Sequence, residues 1–270
     1  MTKEKICSTI WNETAEADNP FAASVCYCSG YDVYGEVLKK ASWSEYLFLL
    51  FQGERPSKPQ AGLLEALAIA LANPGLRDHS VRAAMNGGVG GSTNAASLMA
   101  ALAVGAGALG GGREIVVALD YWTHCGTDLN AWSQLLLEPP QQDPADIWPP
   151  MEHPPGFDPH GASCAKPVRQ VLDYLSQFDC ADALIWLKQN REQLERFADC
   201  PLAMSGVAAA AFVDLAFSAD QAEMLYLLLR LPGAAVHSLE QKRFGILKYP
   251  FFADAITLTD TPEQCGTEHL

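Results

Sequence analysis

Basic side chains are scarce in this chain: 18 Lys and Arg stand against 32 Asp and Glu, a formal net charge of −14 at pH 7. A field of that sign repels nucleic acid and anionic lipid, so neither is expected as a partner, and a polyanionic ligand requires a local basic patch. Long apolar runs are missing too. The least polar stretch, residues 95–112, is short and built largely of Ala and Gly, which argues against a membrane span. The opening Met1-Thr2-Lys3-Glu4-Lys5 leads into polar sequence rather than the apolar core of an export signal, so a cytoplasmic protein is expected.

The eight cysteines (Cys7, Cys26, Cys28, Cys125, Cys164, Cys180, Cys200 and Cys265) are scattered, and reduced thiols are expected rather than a disulfide framework. Cys26-x-Cys28 and His124-Cys125 lack the paired spacing of a zinc site, so no metal is expected. Cys164 lies near His160, but nothing marks it as an activated thiolate. The glycine-rich segment 87–91 lacks the Gly-Lys-Ser/Thr of a phosphate loop and follows no predicted strand. Period-2 alternation is scarce as well, which points away from a β-sheet fold.

What is present is helical periodicity in a chain of 270 residues with 49% hydrophobic content, enough for a sizeable core. The pattern predicts helices over 43–51, with Ser42 or Ser44 as N-cap, and over 59–71, with Leu63, Leu64, Leu67 and Leu71 on one face. Asn73-Pro74-Gly75 stops the second of these. Another helix starts over 80–85, a glycine loop covers 87–94, a small-residue helix covers 95–109, and a further helix covers 113–123. Residues 138–159 carry eight prolines and cannot be regular helix or central strand. Beyond this linker, helices are predicted over 167–178, 181–197, 204–217 and 219–231.

Several segments, taken in order, resemble the citrate synthase superfamily, most of all its short citryl-CoA-lyase-like members. Gly30-Tyr31-Asp32 looks like the family's early turn, and the helix ending Leu50-Phe51-Gln52-Gly53-Glu54-Arg55-Pro56 is similar to its Leu-x-x-Gly-x-x-Pro. Pro155-Gly156-Phe157 resembles the start of its Pro-Gly-Phe-Gly-His-Pro loop. Gly233-Ala234-Ala235-Val236-His237-Ser238-Leu239-Glu240 resembles its Gly-Leu-x-Ala-His-x-x-Glu. The likeness runs over residues 25–255. It implies an all-α, citrate synthase-like fold, with a large helical domain from 1–129 and 203–270 and a smaller inserted domain, 130–202. It also implies an active site between the domains, shared across a homodimer or a heterodimer with an intact paralogue, and coenzyme A or acyl-CoA as (co)substrate.

The chemistry implied by the resemblance is carbon–carbon bond formation or cleavage beside a thioester. That needs a carboxylate base, a donor on the enolate oxygen and a donor on the ketone carbonyl. The family supplies two histidines and an aspartate, and here all three are replaced. Gly107-Ala108-Leu109-Gly110-Gly111-Gly112 stands where the family has His-Gly-Gly-Ala, so Leu109 takes the histidine position. Counting from Gly156, Pro159 takes the second, with His160 displaced by one. In Ala203-Met204-Ser205-Gly206, Ser205 takes the aspartate position. An earlier Asp-His-Gly has become Asn73-Pro74-Gly75.

Candidate substitutes are His160, in its Pro- and Gly-flanked loop, Asp158 as a replacement base, and His79 for the lost Asp-His-Gly histidine. Arg82, His237 and Arg243 are candidates for a substrate carboxylate or phosphate, since arginine forks bind such groups bidentately. Lys166 and Arg169 fall where the family meets the phosphates of CoA, although Val168 takes the arginine place of its Asp-Pro-Arg. Each has a plainer reading as a surface, capping or supporting residue. Two functions stay open: an enzyme acting on a CoA thioester and an oxo acid through altered residues, and an inactive subunit or ligand-binding regulator on the same scaffold.

Overall fold

The computed structural model describes residues 8–139 and 151–248. Most of the Pro-rich linker, Cys7, Cys265 and the last residues of the family likeness lie outside the described residues. Three short strands, β1 (Asn12–Ala15), β2 (Ala23–Cys28) and β3 (Tyr31–Asp32), form an antiparallel sheet in that order, with Glu13 opposite Cys26 and Tyr27 opposite Asp32. The sheet escapes sequence reading because β1 is exposed at every residue and has no buried face to produce alternation. A π-turn (Val33–Val37) and the single turn α1 (Leu38–Lys40) join the sheet to the helical body.

That body is α2 (Trp43–Gln52), α3 (Lys58–Leu71), α4 (His79–Val89), α5 (Asn94–Gly105), α6 (Gly112–Cys125), α7 (Leu129–Leu137), α8 (Lys166–Leu175), α9 (Asp182–Ala198), α10 (Met204–Asp214) and α11 (Ala219–Phe244). The all-α class is as expected. Local chemistry fixes many of the starts. Ser42 with Glu45, Ser57 with Gln60 and Ser218 with Gln221 form reciprocal capping boxes, and Asp78, Thr93 and Asp128 cap α4, α5 and α7 with single side chains.

Some boundaries differ from the pattern, for identifiable reasons. The expected glycine loop at 87–94 is in its first part the end of α4. Gly87 and Gly88 lie in its last turns, and close packing rather than a loop calls for glycine there: a Cβ on Gly88 would stand 2.4 Å from the Ser238 carbonyl oxygen, and one on Gly87 2.6 Å from Ser97 Oγ. The small-residue helix stops at Gly105 rather than 109. Helix α7 went unpredicted. Helix α11 runs on past Pro232, where a stop at 231 was expected. Pro232 disturbs the helical ladder, and the neighbouring Gly233 amide donates instead to the Ala72 carbonyl at the end of α3, 2.7 Å away.

One apolar core runs through α2, α3, α6, α7, α8, α9 and α10 to the start of α11, with Leu63, Leu64, Leu67, Ile115, Leu184 and Phe212 fully buried. Helix α10 is its axis: residues 205–212 are all buried. Four successive alanines, 208–211, let neighbouring helices approach closely. A smaller cluster, Val81, Ala84, Met85, Ala101 and Ala234, joins α4, α5 and α11.

Asp214, at the end of α10, serves as a remote cap for α9. Its carboxylate accepts from Ala183 N (2.7 Å) and Leu184 N (3.0 Å), doing what the adjoining Ala181 cannot. Burial nonetheless pushes its carboxyl up from 3.8 to about 6, against the lowering effect of those two amides. A folded-state value above the unfolded one favours the protonated native state. The contribution is therefore full below 3.8 and is lost as pH rises through about 6. Thermal melts from about pH 7 down to about pH 5 are expected to show the wild type gaining stability relative to Asp214→Asn, which lacks this titration.

Candidate functional site

The 107–112 turn between α5 and α6, the 153–157 segment and the start of α10 meet around one buried side chain. Gly110 sits in the turn with φ +64, and both its carbonyl and its amide are engaged. Its carbonyl accepts from Tyr226 Oη (3.0 Å) and Arg230 Nη1 (2.8 Å), and its amide donates to Glu114 Oε2 (2.5 Å). Arg230, buried on α11, stacks over the Tyr226 ring at 4.7 Å and forms an ion pair with Asp78, the cap of α4. Burial pushes the Tyr226 phenol up to about 12, so it stays protonated as the donor to Gly110.

Glu114 lies in the first turn of α6 and is 1% exposed. Its Oε1 accepts from Gly156 N (2.9 Å) and Ser205 Oγ (2.5 Å), and its Oε2 also meets His153 Nε2 at 3.3 Å. Ser205 and His153 are buried as well. Gly156 is needed for the approach of the 153–157 segment to α10: its φ is +87, and a Cβ there would stand 2.9 Å from Gly206 Cα. The Gly110 turn, the 153–157 segment and Ser205 at the start of α10 are thus tied together through one carboxylate.

The order of groups decides the chemistry. In a hydroxyl–imidazole–carboxylate relay the imidazole takes the hydroxyl proton. Here the carboxylate stands between Ser205 and His153, so no such relay exists. A carboxylate has about four lone-pair sites, and the contacts from Gly110, Gly156, Ser205 and His153 occupy them. Among the described residues no buried side-chain nitrogen or oxygen lacks a partner.

The candidates read from sequence fall elsewhere. His160 is exposed, and its amide donates to Asp158 Oδ1 at 2.9 Å within the same turn. His79, the exposed first residue of α4, and Arg82, one turn on, lie at the solvent side of that helix. His237 is half-buried, with Nε2 3.1 Å from Asn73 Oδ1 and Nδ1 3.7 Å from Glu240. Arg243 is exposed and stacks over Phe244 at 5.2 Å. Lys166 is the exposed first residue of α8. None of these appears among the hydrogen-bond partners of Glu114.

Arg169 is different. With Arg191 and Arg196, and with the acids Glu192, Glu195 and Asp199, it lines an open cleft of about 490 Å³ between the start of α8 and the end of α9. Arg191 is held by Glu195 (2.7 Å) and Glu192 (3.1 Å), and the other Glu195 oxygen accepts from Leu202 N. Arg169 and Arg196 make no ion pair among the described residues. Burial first, and Glu195 next, push the Cys164 thiol up, which opposes thiolate chemistry. No cluster of metal-binding side chains, and no helix long and apolar enough to cross a membrane, occurs among the described residues.

Sequence reading missed Glu114, His153, Tyr226 and Arg230. Only Arg230 left a signal, as the single charge in Leu227-Leu228-Leu229-Arg230-Leu231.

No family model and no curated protein matches the chain. Its fold is shared with a citryl-CoA lyase from Hydrogenobacter thermophilus, at 15% identity and a TM-score of 0.72, over 99% of this chain and 98% of that one. An ATP citrate lyase from Methanothrix soehngenii, solved in complex with citrate and coenzyme A, matches 99% of the chain at 18% identity and a TM-score of 0.72. A mutant ATP citrate lyase from Methanosaeta concilii, in complex with (3S)-citryl-CoA, matches 98% of it at 18% identity and the same TM-score. The chain spans 44% and 43% of the length of those two lyases. Identities this low carry the fold alone, and that fold is of citrate synthase type.

Removing the Glu114 side chain would orphan two backbone amides and the Ser205 hydroxyl. Glu114→Ala is expected to lower stability by about 3–5 kcal/mol. Glu114→Gln, which keeps an acceptor oxygen, should cost less. Urea unfolding measures both.

Proposed function

We propose that this chain is a CoA-binding protein on a citrate synthase-type scaffold that no longer makes or breaks the carbon–carbon bond, acting as a non-catalytic or regulatory subunit. The observation that carries this reading is the filled centre. Proton abstraction beside a thioester needs a carboxylate with a free lone pair, and Glu114 has contacts at all of its own. Leu109 offers no donor for a carbonyl, Pro159 none for an enolate, and the Ser205 hydroxyl is committed to Glu114. His237, the one family histidine kept in place, is engaged by Asn73.

Binding is separable from catalysis, because affinity for a thioester's nucleotide end does not depend on a base at its reacting end. The cleft supports the binding half. Arg169 and Arg196 lie along it without ion pairs among the described residues, and guanidinium forks suit phosphate. The two ATP citrate lyases of like fold were solved with coenzyme A or citryl-CoA, which makes a CoA thioester the ligand class to try first. Lys166, His160 and Asp158 flank the cleft in sequence and are secondary contacts in this reading, with His79, Arg82 and Arg243 left to a carboxylic acid ligand. The division into a large part (1–129 and 203–270) and an inserted part (130–202), and a cytoplasmic location, belong to the same proposal.

A dimer belongs to it too. Helices α5 and α11 expose Met99, Val104, Met224, Leu228, Val236 and Leu239, apolar side chains on two elements that pack against each other. Such a face is better covered than wetted. The partner is a second copy or an intact paralogue.

Calorimetric titration with CoA and acetyl-CoA tests the ligand. Binding should weaken about tenfold or more per arginine removed in Arg169→Ala and Arg196→Ala, the cost of one charge-assisted contact. Assays with citryl-CoA, and with acetyl-CoA plus oxo acids, should give no turnover. Turnover above the blank would establish the alternative, an enzyme with altered residues, and absence of CoA binding would overturn the proposal. Sedimentation should report a dimer that Met224→Glu/Val236→Glu converts to monomer.

A further inference from the structure

A separate pocket lies between the N-terminal sheet and α2, apart from both the Glu114 cluster and the arginine cleft. It is small and partly enclosed, about 50 Å³. At roughly 10–15 Å³ per water sphere that holds about four non-hydrogen atoms, the size of a branched aliphatic side chain. The floor is apolar: Leu49 is buried, and Val37, Ala41 and Pro56 are joined by the rings of Tyr31 and Tyr46.

The rim carries both signs of charge. Lys40 and Arg55 stand on it with Glu36 and Glu45. None of the four forms an ion pair among the described residues. Arg55 stacks over the Tyr31 ring at 5.7 Å, and Glu45 uses only one oxygen, on the Ser42 amide. A simple anion would be drawn by two of these groups and repelled by the other two, and so would a simple cation. A ligand carrying an ammonium and a carboxylate together satisfies both pairs. An apolar side chain of about four carbons fills the floor.

From this combination of floor and rim, we propose that the pocket binds a free α-amino acid with a branched aliphatic side chain. The carboxylate faces Lys40 and Arg55, the ammonium faces Glu36 and Glu45, and the side chain rests on Leu49, Val37 and Pro56. The reading is independent of any CoA ligand.

Calorimetry with L-leucine on the full chain is the test. One equivalent should bind, and alanine, 4-methylpentanoate and isoamylamine, which lack the side chain, the ammonium and the carboxylate in turn, should each bind at least about tenfold more weakly. Lys40→Ala/Arg55→Ala, two exposed positions that leave the core alone, should lose the same factor, and Ala41→Leu should block the pocket. No leucine binding at about 10 mM overturns the proposal. So does 4-methylpentanoate binding as well as leucine, or leucine binding that survives both variants.

Discussion

The Glu114 carboxylate holds the middle of this molecule together. From the first turn of α6 it ties the Gly110 turn, the 153–156 segment and the start of α10 to one another. Burying such a charge costs several kcal/mol, and only a full set of donors offsets it. Two backbone amides, a hydroxyl and an imidazole supply that set. Once formed, the cluster is all or nothing: withdrawing any strand of it leaves a buried polar group without a partner. A second set of contacts leans on the same turn from the other side, where Arg230 joins the Gly110 carbonyl to Asp78 and so to the start of α4. The turn is held from both sides because the amide and the carbonyl of Gly110 are both engaged.

The proposed function, with catalysis lost and binding kept, follows from how these contacts are turned. A working carbon–carbon lyase needs lone pairs and donors held open for a reacting carbonyl. This centre has them turned inward. The cleft between α8 and α9, by contrast, carries two guanidinium groups without an ion pair among the described residues, on a chain that is strongly acidic. Glu192, Glu195 and Asp199 line the same cleft, so an anion there would be held by individual guanidinium forks rather than by a basic field.

Much of the fold was legible in the sequence because it is written locally. Ser57 followed by Gln60 announces α3, and the leucines at 63, 64, 67 and 71 announce its buried face. The β-strands were not legible, since β1 buries nothing. The run of α11 past Pro232 was not either, because the amide that compensates for the proline finds its acceptor at Ala72, far away in the chain. The same holds for the centre. Ser205 was noticed as a missing acid, but its partner Glu114 lies 91 residues away and looks, in sequence, like any acidic residue in a first helical turn. Losses are visible in a motif; what fills them is visible only in three dimensions.

The short contact between Ser205 and Glu114 sets a rule of mutual exclusion. Two carboxylates at hydrogen-bond distance cannot both stay ionised in a buried site; one must take up a proton or be pushed apart. An aspartate at position 205 would therefore share a proton with Glu114 or be pushed away from it, and Glu114 would lose the donor that Ser205 supplies. Positions 114 and 205 are thus coupled: Glu114 is best met by a donor at 205, and Ser205 is that donor. A change at either position is therefore felt at the other, although they stand 91 residues apart in the chain.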